Sequence, residues 1–394
     1  MTWQLNNKKI LSLLVCFIVT LICAARIGFC EPQTKSPNAI QSVLLEQKQP
    51  QAVEAQVLSN DPALPRLDKE VRRLASMAGG TVGLSALHVE SGRCFSLNGT
   101  ERFPMASAYK IPIAVQLLRR VDGGEIRLDQ AVTLRSSDIH PGSGKLISSF
   151  KKKTASYTVR ELLELMLLVS DNTASDAVLN LAGGPEAVTT LLQSQGIRDL
   201  DVSRSTLNML ADWRGIEKLP SREDFSVEKY NQLRNKVPAD VLDTAQDRFY
   251  SDTRDTGTPD AMTRLISMVY CGTVLKPEST AVFLNILGRC QTGQSRIKKL
   301  IPPGMKTANK TGTIGKGIVN DVALLTLPDD AGHVALTIFI KTSDHSVSQQ
   351  EQAMAQIARY IYDYYFFSGT APAVPAACQS CSSPNPACYS LEVQ

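Results

Sequence analysis

The first pair of residues that could do chemistry is Ser107 and Lys110, in the segment Ser107-Ala-Tyr-Lys110. Residues three apart share one face of a helix. Apolar residues at helical intervals predict a helix that begins close to Ser107, with a buried face formed by Ile111, Ala114, Leu117 and Leu118. The start of a helix offers free N–H groups and positive potential, and a partly desolvated lysine has a lowered pKa. The pair therefore predicts acyl transfer, with Ser107 as nucleophile and Lys110 as base.

Two further motifs occur once each, whereas the Ser-x-x-Lys spacing alone also begins at four other serines: Ser148, Ser149, Ser226 and Ser295. Ser170-Asp-Asn172 follows an apolar run and precedes a predicted helix. Its hydroxyl and amide can relay a proton and bind a substrate, or they can simply cap the helix. Lys310-Thr-Gly-Thr313 begins a predicted strand, where Gly312 lets a substrate approach the backbone closely or marks an ordinary bulge.

Together and in this order, the three motifs resemble the signature of class A β-lactamases and penicillin-binding proteins. The resemblance covers about residues 67–367. It includes these segments: Arg102-Phe-Pro-Met-Ala-Ser107, Tyr157-Thr-Val-Arg-Glu-Leu162, Ser170-Asp-Asn-Thr-Ala174, Gly183-Gly-Pro185, Arg254-Asp-Thr256, Thr258-Pro259, Thr292-Gly293 and Asn309 to Gly312.

The resemblance implies a role for each matching residue. The implied catalytic residues are Ser107, which is acylated, Lys110, which helps to take its proton, Ser170, which passes a proton to the leaving nitrogen, and Lys310, which tunes the electrostatics. The implied substrate-binding residues are Asn172 for the acylamido side chain, Thr311 and Thr313 for the carboxylate, and Gly312 between them. The N–H groups of Ser107 and Thr313 would form the oxyanion hole.

One loop departs from the family. Class A β-lactamases hold the deacylating water with a glutamate in the pattern Arg-x-Glu-x-x-Leu-Asn, but this chain reads Arg204-Ser-Thr-Leu-Asn208. Counting without a gap makes Arg204 the loop arginine, whereas aligning on Asn208 puts Arg204 at the glutamate position. Neither register supplies a carboxylate. We expect Arg204 to pair with Asp255 and close the neck of the loop, with Asn208 as a further structural residue.

A charged insertion follows this loop, at about residues 209–253. It carries three glutamates that could act as a substitute base: Glu217, Glu223 and Glu228.

Three hypotheses for function follow. The first is a D,D-peptidase-like or weakly hydrolytic enzyme that deacylates slowly, and the second is an efficient β-lactamase with a relocated base. The third is a non-catalytic sensor of β-lactams or cell-wall fragments, against which the intact nucleophile argues.

The elements that position these motifs predict an α+β fold. Predicted strands 81–89, 319–327 and 333–341 bracket a mostly helical block that contains helices at 157–169, 172–181, 186–195 and 259–270. Further helices are predicted at Leu67–Leu74 and Gln349–Phe367. The expected arrangement is an antiparallel sheet flanked by N- and C-terminal helices, with an inserted all-helical subdomain.

The rest of the chain predicts export. Lys8 and Lys9 precede the apolar run Ile10 to Ala25, which is typical of a secretion signal, with an uncleaved membrane anchor as the alternative over residues 1–30. A Gln- and Pro-rich disordered linker (31–65), a catalytic domain (66–368) and a flexible Cys-, Pro- and Ser-rich tail (369–394) follow. We expect a periplasmic or extracytoplasmic monomer that acts on a β-lactam or a peptidoglycan stem peptide. The net charge of only +4 gives no sign of nucleic-acid binding, and the chemistry needs no metal or cofactor.

Overall fold

The computed structural model describes residues 61–368, so the predicted export segment, the predicted tail and most of the predicted linker lie outside this range. The helices are α1 (Leu64–Ser76), α2 (Lys110–Asp122), α3 (Leu146–Ser149), α4 (Val159–Leu168), α5 (Asn172–Leu181), α6 (Pro185–Ser194), α7 (Thr206–Trp213), α8 (Val227–Lys236), α9 (Ala239–Ser251), α10 (Pro259–Tyr270), α11 (Pro277–Gly288) and α12 (Val347–Phe367). The strands are β1 (Thr81–His88), β2 (Cys94–Leu97), β3 (Phe103–Pro104), β4 (Ala131–Arg135), β5 (Thr154–Thr158), β6 (Thr256–Gly257), β7 (Thr307–Ile314), β8 (Ile318–Thr326) and β9 (His333–Lys341).

Five strands form one antiparallel sheet in the order β2-β1-β9-β8-β7. Helices α1 and α12 pack on one face around a core of buried aliphatic and aromatic side chains, and α10 packs on β1 and β9 from the other face. Because helices cover both faces, every residue of β9 except the two at its ends is buried. Strand β7 is at the edge of the sheet, so one side of its backbone is left free for a substrate.

The helical subdomain is built around α2, which contacts α5, α6 and α11. The face predicted from the helical spacing after Ser107 is fully buried: Ile111, Ala114, Leu117 and Leu118. The start of α4 corrects one sequence prediction. Tyr157 belongs to β5, where it pairs with Val132, and the helix begins at Val159 because Thr158 and Glu161 form a capping box before it.

The insertion is mostly helical and includes the end of α7 and all of α8 and α9. It has its own small core, formed by Ala211, Ile216, Phe225 and Tyr230. The overall α+β arrangement, with an antiparallel sheet, terminal helices and an inserted helical subdomain, confirms the fold class predicted from the sequence. Within residues 61–368, no helix combines the length and apolar character that a membrane crossing requires.

Candidate active site

Ser107 lies in a single 3-10 turn, Ala106–Tyr109, directly before α2. Ala106 has a φ of 48°, a left-handed conformation that costs energy for a residue with a β-carbon and is typical of functional turns. The amide of Asn320 on β8 donates to the carbonyls of Pro104 and Met105, both at 2.9 Å, and so holds the segment that leads to Ser107. These contacts explain how the sheet fixes the position of this serine.

Strand β7 passes very close to the same turn, and Gly312 makes this possible. A β-carbon at position 312 would lie 2.5 Å from the Met105 carbonyl oxygen and 3.1 Å from the Ser107 nitrogen. Any other residue would push the strand away from Ser107. The glycine of the Lys-Thr-Gly-Thr motif is therefore required for packing at this position.

Lys110 is fully buried below Ser107 and is held by the Ser170 loop. Its Nζ donates to the Ser170 carbonyl at 2.8 Å, to Ser170 Oγ at 3.1 Å and to Asn172 Oδ1 at 3.0 Å. Burial, reinforced by the positive charge of Lys310, holds the pKa of Lys110 well below its usual value. A lysine with a lowered pKa can lose its proton and offer a lone pair to a neighbouring hydroxyl.

Ser170 lies between the two buried ammonium groups. Lys310 Nζ donates to Ser170 Oγ at 3.1 Å and to the Thr311 carbonyl at 2.7 Å. Burial lowers the pKa of Lys310 to about 8. Asp171 caps α5 through the N–H of Ala174, so the helix-cap interpretation of this loop is also correct. The structure thus joins Lys110, Ser170 and Lys310 through hydrogen bonds, and Ser107 lies in the turn directly before Lys110.

The hydroxyls of Thr311 and Thr313 are held by two residues of the segment that precedes β7 in the chain. Thr292 Oγ1 is 2.7 Å from Thr311 Oγ1, and Arg296 Nη2 donates to Thr313 Oγ1 at 2.6 Å. Arg296 also donates to the Gly312 carbonyl and is buried. It is not among the residues predicted from the sequence, although it follows the Thr292-Gly293 match by only three positions. Its Nε also pairs with Glu351 at 3.0 Å, which compensates part of its charge. The guanidinium N–H beside the Thr313 hydroxyl still suits an anionic substrate group.

The neck of the loop is closed by the ion pair that the sequence predicts. Arg204 Nε donates to Asp255 Oδ2 at 2.6 Å, and Arg204 Nη1 also reaches Asp212 at 2.7 Å and Asp252 at 3.0 Å. Arg204 and Asp255 are both buried. The pair identifies Arg204 as the loop arginine and so selects the ungapped register. In that register Thr206, two residues later, has the position that the family pattern gives to glutamate.

The side chain of Thr206 is buried and contacts Tyr109. Their two hydroxyl oxygens are 2.5 Å apart. Burial and the nearby Asp176 carboxylate raise the pKa of Tyr109 well above its usual value, so this phenol stays neutral. Asp176 accepts from the backbone N–H groups of Thr206 and Leu207, which fixes the loop against α5. In the ungapped register, the position that the family pattern gives to glutamate is therefore occupied by a neutral threonine paired with a tyrosine hydroxyl.

The remaining candidates on the loop and its insertion are exposed to solvent. The Asn208 side chain is exposed, and its backbone N–H donates to the cap residue Ser205. Glu217, Glu223 and Glu228 are also exposed. Within residues 61–368, the hydrogen bonds of the Lys110 and Lys310 ammonium groups go to the Ser170 loop and to the Thr311 carbonyl rather than to these glutamates.

The site has a serine beside a buried lysine, between a helical subdomain and the edge strand of an antiparallel sheet. This arrangement is that of the penicillin-recognising serine enzymes. The sequence model of the Beta-lactamase enzyme family matches residues 66–365. The chain therefore belongs to the class A β-lactamase family.

Curated relatives and solved structures agree with this assignment. The chain is 26% identical over 306 residues to the extended-spectrum beta-lactamase PER-1 of Pseudomonas aeruginosa, covering 76% of this chain and 87% of that protein. It is 25% identical over 293 residues to beta-lactamase SME-1 of Serratia marcescens, covering 74% and 86%. A solved ancestral class A beta-lactamase (GNCA) has a TM-score of 0.60 at 28% identity, covering 75% of this chain and 98% of that one.

Proposed function

We propose that this protein forms an acyl-enzyme on Ser107 with β-lactams or D-Ala-D-Ala peptides and releases the acyl group slowly. One observation supports the proposal: the Thr206 hydroxyl, at the position that the ungapped register gives to glutamate, lies 2.5 Å from the Tyr109 hydroxyl. The groups needed to form the ester are close together, whereas the group that normally helps water to break it is replaced by two neutral hydroxyls.

Acylation can be derived from the contacts of Lys110. Its three hydrogen bonds to Ser170 and Asn172 use all three donors of the ammonium form. Loss of one proton gives an amine whose lone pair can accept the Ser107 proton as Oγ attacks the carbonyl carbon. The ring C–N bond then breaks, and the nitrogen takes a proton from Ser170 Oγ, which is replaced from Lys110. The N–H groups of Ser107 and Thr313 would stabilise the oxyanion.

The roles of Lys310 and Arg296 are electrostatic in this proposal. Lys310 donates to Ser170 Oγ and makes the serine a better proton donor to the leaving nitrogen. Arg296 fixes Thr313 and adds positive charge at the end of the site where the Thr311 and Thr313 hydroxyls would hold the substrate carboxylate. Both β-lactams and D-Ala-D-Ala peptides carry a carboxylate at this end of the reacting amide.

Deacylation needs a second proton acceptor for water. A positioned general base contributes about 10²–10⁴ in rate. Neither Thr206 nor Tyr109 can supply it, because both side chains are neutral hydroxyls and the pKa of Tyr109 is raised further by burial. The ester on Ser107 is therefore expected to persist for many times the turnover interval of an enzyme with the glutamate.

The alternative of an efficient β-lactamase is favoured by the names of the relatives, which include an extended-spectrum and an imipenem-hydrolyzing beta-lactamase. One experiment separates the alternatives: a penicillin is mixed with the protein, and intact mass and substrate loss are followed together. A stable single adduct with slow substrate loss supports the proposal. Fast loss without an adduct would refute slow deacylation, and neither adduct nor loss would indicate a sensor. Ser107→Ala should abolish the adduct.

A further inference from the structure

Cys290 is a free, buried thiol that the proposed acylation does not use. It lies two residues after the end of α11 and is 3% exposed. Two hydrogen bonds hold its backbone: its N–H donates to the Leu287 carbonyl at 3.1 Å, and its own carbonyl accepts from Lys298 Nζ at 3.1 Å. The backbone on either side of Cys290 therefore sets the position of the sulfur.

The sulfur begins a chain of three polar side chains that ends at the candidate carboxylate site. Cys290 Sγ lies 3.3 Å from Thr292 Oγ1, and Thr292 Oγ1 lies 2.7 Å from Thr311 Oγ1. The sulfur is also 3.9 Å from the carbonyl oxygens of Leu168 and Thr292. The Thr292 hydroxyl oxygen is nearer than either carbonyl, so the thiol has a direct partner in this chain.

The number of available hydrogens fixes the direction of these hydrogen bonds when a carboxylate is bound. A hydroxyl has one hydrogen to donate, and an ionised carboxylate only accepts. The Thr311 hydrogen must then go to the carboxylate, so the Thr311 oxygen has to accept from Thr292. This uses the single Thr292 hydrogen. The Thr292 oxygen is left to accept, and the thiol of Cys290 is the donor beside it.

Each threonine of the candidate carboxylate site thus has a donor behind it. Thr313 Oγ1 accepts from the Arg296 guanidinium at 2.6 Å, whereas Thr311 is backed by two neutral donors in series. Hydrogen bonds in series polarise one another, so a donor at the far end of the chain strengthens the bond at the near end. The thiol therefore acts on the Thr311 hydroxyl from two side chains away.

We propose that Cys290 is a positioning residue for carboxylate recognition, because its thiol donates to Thr292 and so orients the Thr311 hydroxyl towards the substrate. This inference rests on the proposed function, which assigns the substrate carboxylate to Thr311 and Thr313. Cys290 does not touch the substrate in this arrangement. It also takes no part in the bonds that form and break at Ser107.

The test follows acylation of Ser107 by intact mass over a range of penicillin concentrations. This separates the dissociation constant of the initial complex from the limiting acylation rate constant. Cys290→Ala should raise the dissociation constant by about threefold to tenfold, the worth of one neutral hydrogen bond. The limiting rate constant should change by no more than about twofold. With the penicillin methyl ester, which has no carboxylate, neither constant should change by more than about twofold.

Further variants make the result specific to the hydrogen-bond chain. Cys290→Ser keeps a donor and should stay within about twofold of the wild-type dissociation constant. In a Thr292→Val background, which interrupts the chain, Cys290→Ala should have no further effect, because residues of one network are not additive. Cys94→Ala is the matched control, since Cys94 is the other buried free cysteine of residues 61–368 and lies in β2.

Several outcomes would overturn the positioning role and leave the proposed function intact. These are an unchanged dissociation constant in Cys290→Ala, an equal loss in Cys290→Ser, in Cys94→Ala or with the methyl ester, and full additivity of the Cys290 and Thr292 changes. Cys290→Val, which fills the space of the thiol, serves if urea unfolding shows that the alanine variant does not fold. Absence of any Ser107 adduct in the wild-type protein would instead overturn the proposed function, and this inference with it.

Discussion

Restoring a carboxylate at Thr206 should convert slow release of the acyl group into turnover. Thr206→Glu alone would be obstructed, because the Tyr109 hydroxyl oxygen lies 2.5 Å from Thr206 Oγ1. The double variant Tyr109→Phe/Thr206→Glu removes that oxygen and keeps the ring that packs in the core. The loop itself should retain its position, since Arg204, Asp255 and Asp176 hold it through contacts that do not involve the Thr206 side chain.

The size of the effect can be estimated from the surroundings of Thr206. A general base is worth about 10²–10⁴ in rate. We expect the lower end, about 10², or roughly 2.7 kcal/mol of activation free energy, because the exposed Asn208 side chain offers no second group to position the water. Fitting the longer side chain into a buried position should cost about 1–3 kcal/mol of folding stability.

The assay is the decay of the Ser107 adduct after excess penicillin is removed, followed by intact mass. Tyr109→Phe alone and Tyr109→Phe/Thr206→Gln are the matched controls, since glutamine has the shape of glutamate without its basicity. Faster decay in the glutamate variant only would support the assignment of Thr206 to the base position. If the glutamine variant decays equally fast, or the glutamate variant shows no gain, the reasoning about this position is wrong.

Three further predictions follow from the charged residues. Asp255→Asn should lower the free energy of unfolding, measured by urea unfolding, by about 3 kcal/mol. This is the lower end for a broken buried ion pair, because Arg204 keeps two other carboxylates. Full stability with full activity would exclude the pairing role. The acylation rate should rise with pH as Lys110 loses its proton, and fall above about pH 8 as Lys310 loses its proton. Lys310→Arg should shift the falling limb of this pH profile to higher pH. A falling limb at unchanged pH would contradict the role given to Lys310. Arg296→Ala should weaken recognition of a penicillin by about 10–100-fold, the worth of one charged hydrogen bond. Recognition of the penicillin methyl ester should stay unchanged. Equal losses for both compounds would argue against a carboxylate site.

Local sequence patterns predicted most of the elements but missed details that depend on capping. The apolar spacing after Ser107 correctly predicted the buried face of α2. The helix start at Val159 was placed two residues too early, because apolar periodicity continues into β5 and only the Thr158 cap separates the two elements. The pairing of β4 with β5 was not predicted, although Val132 to Arg135 and Thr154 to Thr158 both alternate polar and apolar residues. Both strands are only five residues long and largely exposed, and residues 136–153 separate them.

The sequence by itself determined the family and the fold class and supplied the candidate acylating residues. It could do so because Ser107-x-x-Lys110, Ser170-x-Asn172 and Lys310-Thr-Gly are short motifs whose members lie close together in the chain. Only the tertiary structure decided the register of the loop. The deciding contact, Arg204 with Asp255, joins residues 51 positions apart. The family resemblance led us to expect this pair, but no spacing rule predicts it, and only the packed structure shows that it forms.

Sequence spacing also fails to predict three further contacts between residues of different elements: Tyr109–Thr206, Arg296–Thr313 and Trp213–Gly315. Each of these contacts depends on how helices and strands pack, and packing brings together side chains whose separation along the chain carries no periodic signal. These contacts support the proposals on points that the motifs leave open, such as how the ester on Ser107 is released and how the substrate carboxylate is held.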